Sequence, residues 1–361
     1  MKHSVKPGEL PLLTPRQIFE RLGLYVIGQE RARRAVAIAA YNHLKRCAAR
    51  RYGRASLVKK SNLLLIGPTG SGKTHIARTL ADVLEVPFSV ADATEYTEAG
   101  YYGKDVEVMI AELLFKADYS LEDAQRGVVF IDEVDKIARR SHGARTGAGS
   151  RDIGGEGVQQ ALLKLLEGRE VYVPLNQAQH WSKHDLVQVD TSDILFICAG
   201  TFSDLYAYRG ERAVGFAAPP GGGRGRRELQ RRRVTLKELL EYGMLAELMG
   251  RLPVVVELEE LTEVELFRIL TEPPDSLLRE FQELLSLEGI ELSLSEGALK
   301  EVARWAHEKR LGARALRAIF EELMSEVMFH APERRGARIG LDASTVKRRL
   351  GAFSAEALRE S

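Results

Sequence analysis

One octapeptide and its flanks constrain this chain more than any other stretch. After Asn62 comes an unbroken apolar run, Leu63 to Ile66, then Gly67-Pro68-Thr69-Gly70-Ser71-Gly72-Lys73-Thr74, then a helical spacing from His75 onward. Four apolar residues without alternation are the pattern of a strand buried on both faces of a parallel sheet. The octapeptide fits G-x-x-x-x-G-K-[ST], and strand, loop and helix fall in the order that this motif requires. Its glycines free backbone N–H groups to wrap phosphates, and the helix that follows adds its N-terminal dipole. Lys73 brings a point charge to the β- and γ-phosphates, and Thr74 offers a hydroxyl to Mg²⁺. Gly67 to Thr74 are therefore the expected binding residues for ATP and its Mg²⁺. A plain glycine turn after a strand is the competing reading, and it does not explain the Lys73-Thr74 pair opening a helix.

Further short apolar runs at Phe88 to Ala91, Val128 to Ile131, Ile194 to Cys198 and Val254 to Leu258 are separated by helical stretches. Strands alternating with helices predict a doubly wound α/β domain with a five-stranded parallel sheet. The run Gly127 to Ile131 ends in Asp132 and Glu133, and strand tips of such a sheet face the ligand crevice. Carboxylates there need a cation: Asp132 suits an outer ligand of Mg²⁺, and Glu133 suits a base that polarises water for in-line attack on the γ-phosphate. Beyond Leu258 the periodicity turns helical, which predicts a second, smaller and mostly helical domain. The expected division is 1–253 and 254–361, with mobile loops at about 141–155 and 209–233, both rich in Gly and Arg.

Composition narrows the partners. Lys and Arg number 52 against 51 Asp and Glu, a formal net charge of +1, so no global field points to nucleic acid or an anionic membrane. No apolar run approaches the ~18 residues of a membrane span, and the first residues lack the apolar core of an export signal; a cytoplasmic protein is the expectation. With only Cys47 and Cys198 there is no disulfide framework and no four-thiolate zinc site. Both thiols are expected to be inert.

At this point the motifs become recognisable together. Tyr25-Val26-Ile27-Gly28-Gln29-Glu30, the phosphate loop, Gly100-Tyr101-Tyr102-Gly103, Ile131-Asp132-Glu133-Val134-Asp135-Lys136, Gly155-Glu156-Gly157, Gly250-Arg251-Leu252-Pro253 and Gly312-Ala313-Arg314 stand in one colinear series. The chain resembles the ClpX-type AAA+ protein unfoldases from about Thr14 to about Pro332. The resemblance implies that Val26 and Ile27 contact adenine, that Arg251 is an arginine finger reaching a neighbouring subunit's nucleotide, and that Arg314 is a sensor on the small domain. A finger supplied in trans makes the active species an oligomer, here a hexameric ring. Glu133, Arg251, Arg314 and Lys73 form the implied catalytic set.

By the same resemblance Tyr101 and Tyr102 lie on the first pore loop and Arg151 on the second, where an aromatic grips polypeptide with large area and little sequence preference. Val214-Gly215-Phe216 resembles the tripeptide that docks such rings on a ClpP-type peptidase, and a partner would bury its Val and Phe. The implied activity is ATP-dependent unfolding of tagged or unfolded proteins and their translocation into that peptidase. The family's zinc-binding domain, with its four cysteines, has no counterpart in these residues, so adaptor-delivered substrates are expected to be lost. Two rivals stay open: a ring motor acting on DNA, which predicts basic rather than aromatic pore loops, and a remodelling chaperone or assembly scaffold that works without a peptidase. The six arginines of Gly221 to Arg233 read more simply as a solvated loop than as a nucleic-acid contact.

Overall fold

The expected apolar runs pair as one sheet. In a computed structural model that describes residues 13–51, 59–97, 104–139, 155–174, 186–205, 233–310 and 312–357, strands β1 (Leu63–Ile66), β2 (Phe88–Asp92), β3 (Val128–Asp132), β6 (Leu195–Gly200) and β7 (Val254–Glu257) form a five-stranded sheet in the order β2-β3-β6-β1-β7. Every pairing is parallel. Leu64, Ile66, Val129, Ile131, Phe196 and Cys198 pack on one face into the main core. Leu63, Leu65, Val128, Phe130, Leu195 and Ile197, facing the other way, are as deeply buried. Burial on both faces is why these strands read as unbroken apolar runs rather than as alternation.

A second pair, β4 (Glu170–Pro174) and β5 (Leu186–Asp190), is antiparallel and stands apart from the main sheet. The remaining strands, β8 (Glu291–Leu294) and β9 (Arg338–Leu341), make a two-stranded parallel ladder beside the C-terminal helices. The C-terminal region is thus mostly helical, as expected, with a short sheet the periodicity did not reveal.

The chain divides into two compact units. The first comprises 1–19, 31–68 and 73–258, and the second 20–30, 69–72 and 259–361. In the second, helices Glu263–Thr271, Leu277–Ser286, Glu296–Glu308, Ala313–Phe329 and Ala343–Ala357 enclose a core that includes Leu266, Phe281, Val302, Phe320 and Val346. Thr262 and Glu265 form a capping box at the start of the first of these helices, and Ser295 caps the third. Each cap satisfies backbone donors that a helix leaves open.

In the first unit Asn62, 1% exposed, stitches the lower edge of the sheet. Its Oδ1 accepts from Phe196 N at 3.3 Å, while its Nδ2 donates to Leu166 O at 3.3 Å and Arg251 O at 3.0 Å. Asn62→Ala leaves these buried backbone groups unpaired and is expected to cost about 2–4 kcal/mol, read as a lower denaturant midpoint with an unchanged slope. Burial pushes the Cys198 thiol up to about 12, and burial together with Asp193 pushes Cys47 up to about 11, so both thiols stay protonated and unreactive. Among the described residues no helix is long and apolar enough to cross a membrane.

Candidate functional site

Parallel pairing brings the tips of β1, β3 and β6 to one edge of the sheet, with β6 between the other two. The phosphate loop leaves β1 at that edge, where Gly67 N donates to Gly200 O at the end of β6 (3.2 Å). Gly70 and Gly72 have φ of 75° and 97°, a left-handed backbone that glycine adopts without strain. A Cβ at Gly72 would meet nothing within 4 Å, so backbone conformation and not crowding requires glycine there. Helix Lys73–Leu84 then begins, and the buried Lys73 Nζ donates to Gly67 O at 2.7 Å and Pro68 O at 3.0 Å. Ser71 is 3% exposed and its hydroxyl has no hydrogen-bond partner among the described residues. A buried orphan hydroxyl in a loop of left-handed glycines fits a phosphate ligand.

Asp132 ends β3 at the same edge, and its Oδ1 accepts from the Glu133 backbone N at 2.9 Å. Glu133 has φ 59° and ψ 27°, a left-handed conformation uncommon for a residue with a side chain. The turn swings its carboxylate out of the sheet, where Lys136 Nζ donates to Oε2 at 2.5 Å. That bond raises the exposed Lys136 ammonium above its usual value. Among the described residues no group of three or more His, Cys, Asp or Glu is gathered to hold a metal ion by itself.

Asp135, to which the motifs assign no role, braces this turn with Thr201 and Phe202. The buried Asp135 accepts from Thr201 Oγ1 at 2.9 Å and from Phe202 N at 3.1 Å through Oδ2, and so ties the segment after Glu133 to the segment after β6. Phe202 is itself left-handed, with φ 50°. The third acid of Asp132-Glu133-Val134-Asp135 was the available signal, since an acid that follows a buried strand and the apolar Val134 needs donors if it is buried too.

Arg251 lies elsewhere. It precedes β7, whose first residue Val254 pairs with Leu63, so it stands at the edge opposite the phosphate loop, a strand length of roughly 13 Å away. Its guanidinium pairs with Glu167 at 3.0 Å, half exposed, and Arg251 and Arg169 together hold the Glu167 carboxyl below its usual range against the opposing effect of partial desolvation.

In the second unit Val26 and Ile27 are buried at 4% and 6% exposure. Arg314 is exposed in the first turn of Ala313–Phe329, directly after Ala313, whose N donates to Gly70 O at 3.1 Å. Tyr101, Tyr102, Arg151, Val214, Gly215 and Phe216 lie outside the described residues. The chain on either side of Tyr101 and Tyr102 is joined at its base: Thr97 N donates to Lys104 O at 3.1 Å and Lys104 N to Glu95 O at 3.0 Å.

Comparison with known proteins agrees with this layout. Residues 58–255 match the AAA domain (Cdc48 subfamily), and residues 261–338 match the C-terminal, D2-small domain of ClpB protein. The chain is 46% identical over 320 residues to the ATP-dependent Clp protease ATP-binding subunit ClpX 2 of Wolinella succinogenes, covering 89% of this chain and 78% of that one. It is 41% identical to the ClpX subunits of Treponema denticola, over 92% of this chain and 80% of that one, and of Porphyromonas gingivalis, over 96% and 84%. With the sheet, the phosphate loop and the acid-tipped strand in the expected order, and with identity of this level across nearly the whole chain, this protein belongs to the ClpX family and is an AAA+ ATPase.

Proposed function

We propose that this chain is a Mg²⁺-ATP-dependent protein unfoldase and polypeptide translocase that works as a hexameric ring and feeds a ClpP-type peptidase. The observation that carries the reading is the division of the sheet edges: Lys73, Asp132 and Glu133 share one edge and Arg251 occupies the other. A finger at the far edge can complete a site only on another copy, which makes the ring a catalytic requirement.

In the proposed mechanism the backbone amides of Gly67 to Gly72 and the Lys73 ammonium bind the β- and γ-phosphates of ATP. Thr74 and, through water, Asp132 would hold Mg²⁺, which supplies charge neutralisation on the β- and γ-oxygens. Glu133 orients the attacking water and accepts its proton as the O–P bond to the γ-phosphorus forms and the bond from that phosphorus to the β,γ-bridging oxygen breaks, with ADP leaving and inorganic phosphate as the other product. Val26 and Ile27 provide the apolar surface for adenine, Arg314 senses the γ-phosphate from the small domain, and the neighbouring subunit's Arg251 stabilises charge on the transferring phosphoryl group. Hydrolysis drives pore loops bearing Tyr101, Tyr102 and Arg151 along the substrate, and Val214-Gly215-Phe216 docks the ring on the peptidase. The division into a large ATPase domain and a small lid supports this coupling, because a lid carrying Arg314 moves when the γ-phosphate leaves.

The second reading, a remodelling chaperone that needs no peptidase, is separated by one experiment. A tagged, stable fluorescent reporter is incubated with the chain and ATP, with and without a ClpP-type peptidase. Peptide products that require both proteins support the proposal; unfolding that proceeds equally and never yields peptides favours the chaperone. In the same assay Tyr101→Ala is expected to keep ATP turnover and lose unfolding, since each lost aromatic contact weakens the hold on substrate and several loops act on one chain. Wild-type unfolding by that variant would remove the threading step from the proposal.

A further inference from the structure

Gln29 makes three side-chain hydrogen bonds that no motif assigns. Its Nε2 donates to Glu259 O at 2.7 Å and to Ser71 O at 3.4 Å, and its Oε1 accepts from Glu259 N at 3.0 Å. The amide thus pairs with both backbone groups of Glu259, as a neighbouring strand would, and spends its second N–H on a carbonyl of the phosphate loop. Among side chains of this length only glutamine carries a donor pair and an acceptor on one carbon. The local backbone is built for this: Gly28 and Gln29 both have positive φ, 67° and 49°, and a Cβ at Gly28 would collide with the Glu265 carboxylate of the capping box.

The neighbouring loop carbonyl is held in the same way. Gly70 O accepts from Ala313 N at 3.1 Å, and Gly312, with φ 57° and ψ −145°, comes so close that a Cβ there would lie 2.5 Å from Gly70 O. Two successive carbonyls of the loop, Gly70 and Ser71, are therefore each gripped by a donor. In a trans peptide the C=O and the next N–H point in opposite directions. Fixing these two carbonyls turns the N–H groups of Ser71 and Gly72 away from Gln29 and Ala313, and those amides are the ones a phosphate needs.

We infer that Gln29 is a positioning residue for nucleotide binding: with Ala313 it orients the phosphate-loop amides, and it ties that orientation to the backbone of Glu259. The inference rests on the ATP-binding reading of the loop. Gln29→Glu is the sharpest test, because it keeps the shape and the acceptor for Glu259 N but sets a carboxylate against two carbonyls. A group that can bond there only when protonated has its protonation favoured, so lowering the pH restores one donor. The titratable neighbours are Glu30, Glu259 and Glu265, which the wild type also carries, so each comparison is made with wild type at the same pH.

Binding of a slowly hydrolysed ATP analogue to the full chain is measured by calorimetry at pH 8 and pH 6, beside steady-state ATPase. Gln29→Glu is expected to bind about tenfold more weakly than wild type at pH 8, from the loss of two hydrogen bonds, and to recover most of that loss at pH 6. Its KM should rise while kcat at saturation stays within about threefold. Gln29→Met, which loses all three bonds without adding charge, is expected to show the same weakening at both pH values. Wild-type affinity in either folded variant overturns the inference, as does a Gln29→Glu loss that is equal at both pH values with kcat falling in step. Failure of both variants to fold also overturns it, since the residue would then be structural. Lys73→Ala runs in parallel: if wild type itself binds no nucleotide, it is the ATP-binding reading that fails, not the role of Gln29.

Discussion

Glu133→Gln is expected to bind ATP as wild type does and to hydrolyse it at least about 100-fold more slowly, because a positioned proton acceptor contributes that much or more. The substitution is close to isosteric, and the left-handed turn at Glu133 is fixed by backbone bonds and by Asp135 rather than by the carboxylate. Shape and binding therefore persist while the proton acceptor is lost. The Lys136 partner at 2.5 Å is exposed and contributes little to stability, so the fold should be unaffected. Steady-state phosphate release within fivefold of wild type would remove Glu133 from the catalytic role.

Arg251→Ala is expected to reduce hydrolysis by about 10³-fold, the lower end of the range for an arginine finger, although its residue stands on the opposite edge of its own sheet from the phosphate loop. Nucleotide affinity in the isolated subunit should change little, since within its own chain the guanidinium pairs with Glu167 at 3.0 Å. Mixing Arg251→Ala subunits with Glu133→Gln subunits tests the geometry. At interfaces where the first supplies Glu133 and the second supplies Arg251, a complete site forms and activity should return. Mixed rings as inactive as either parent would contradict action in trans.

Much of this architecture is legible in the sequence. Parallel strands buried on both faces cannot alternate, so β1, β3 and β6 announce themselves as apolar runs, and the phosphate loop and acid pair are visible because they follow such runs. The β4–β5 pair was not legible: with Val171 and Val173 inward and Glu170 and Tyr172 exposed, its alternation is only two apolar residues deep. β8 and β9 are four residues each and sit among helical periodicities that mask them. Helix ends moved by a residue or two; the first helix runs past Gly23 to Tyr25, because Val26 N still finds Leu22 O at 2.8 Å.

Site residues divide by the same logic. The candidates Lys73, Asp132 and Glu133 were readable because the chemistry proposed for them requires a residue type at a fixed offset from a strand. Gln29 was not, although it stands inside a quoted motif, because its partner is the backbone of a residue 230 positions away, and a side chain bonded to backbone imposes no pattern on the partner's sequence. Asn62 is illegible for the same reason, since all three of its partners are backbone groups.

ATP turnover and the fluorescence of a tagged, stable reporter should be followed in one sample, with wild-type chain and with Glu133→Gln. Fluorescence is expected to fall only with hydrolysable ATP, in step with phosphate release, and to stay constant with Glu133→Gln despite bound nucleotide. Undiminished fluorescence while wild-type chain hydrolyses ATP, or an equal loss with an analogue that is not hydrolysed, would contradict an ATP-driven unfoldase.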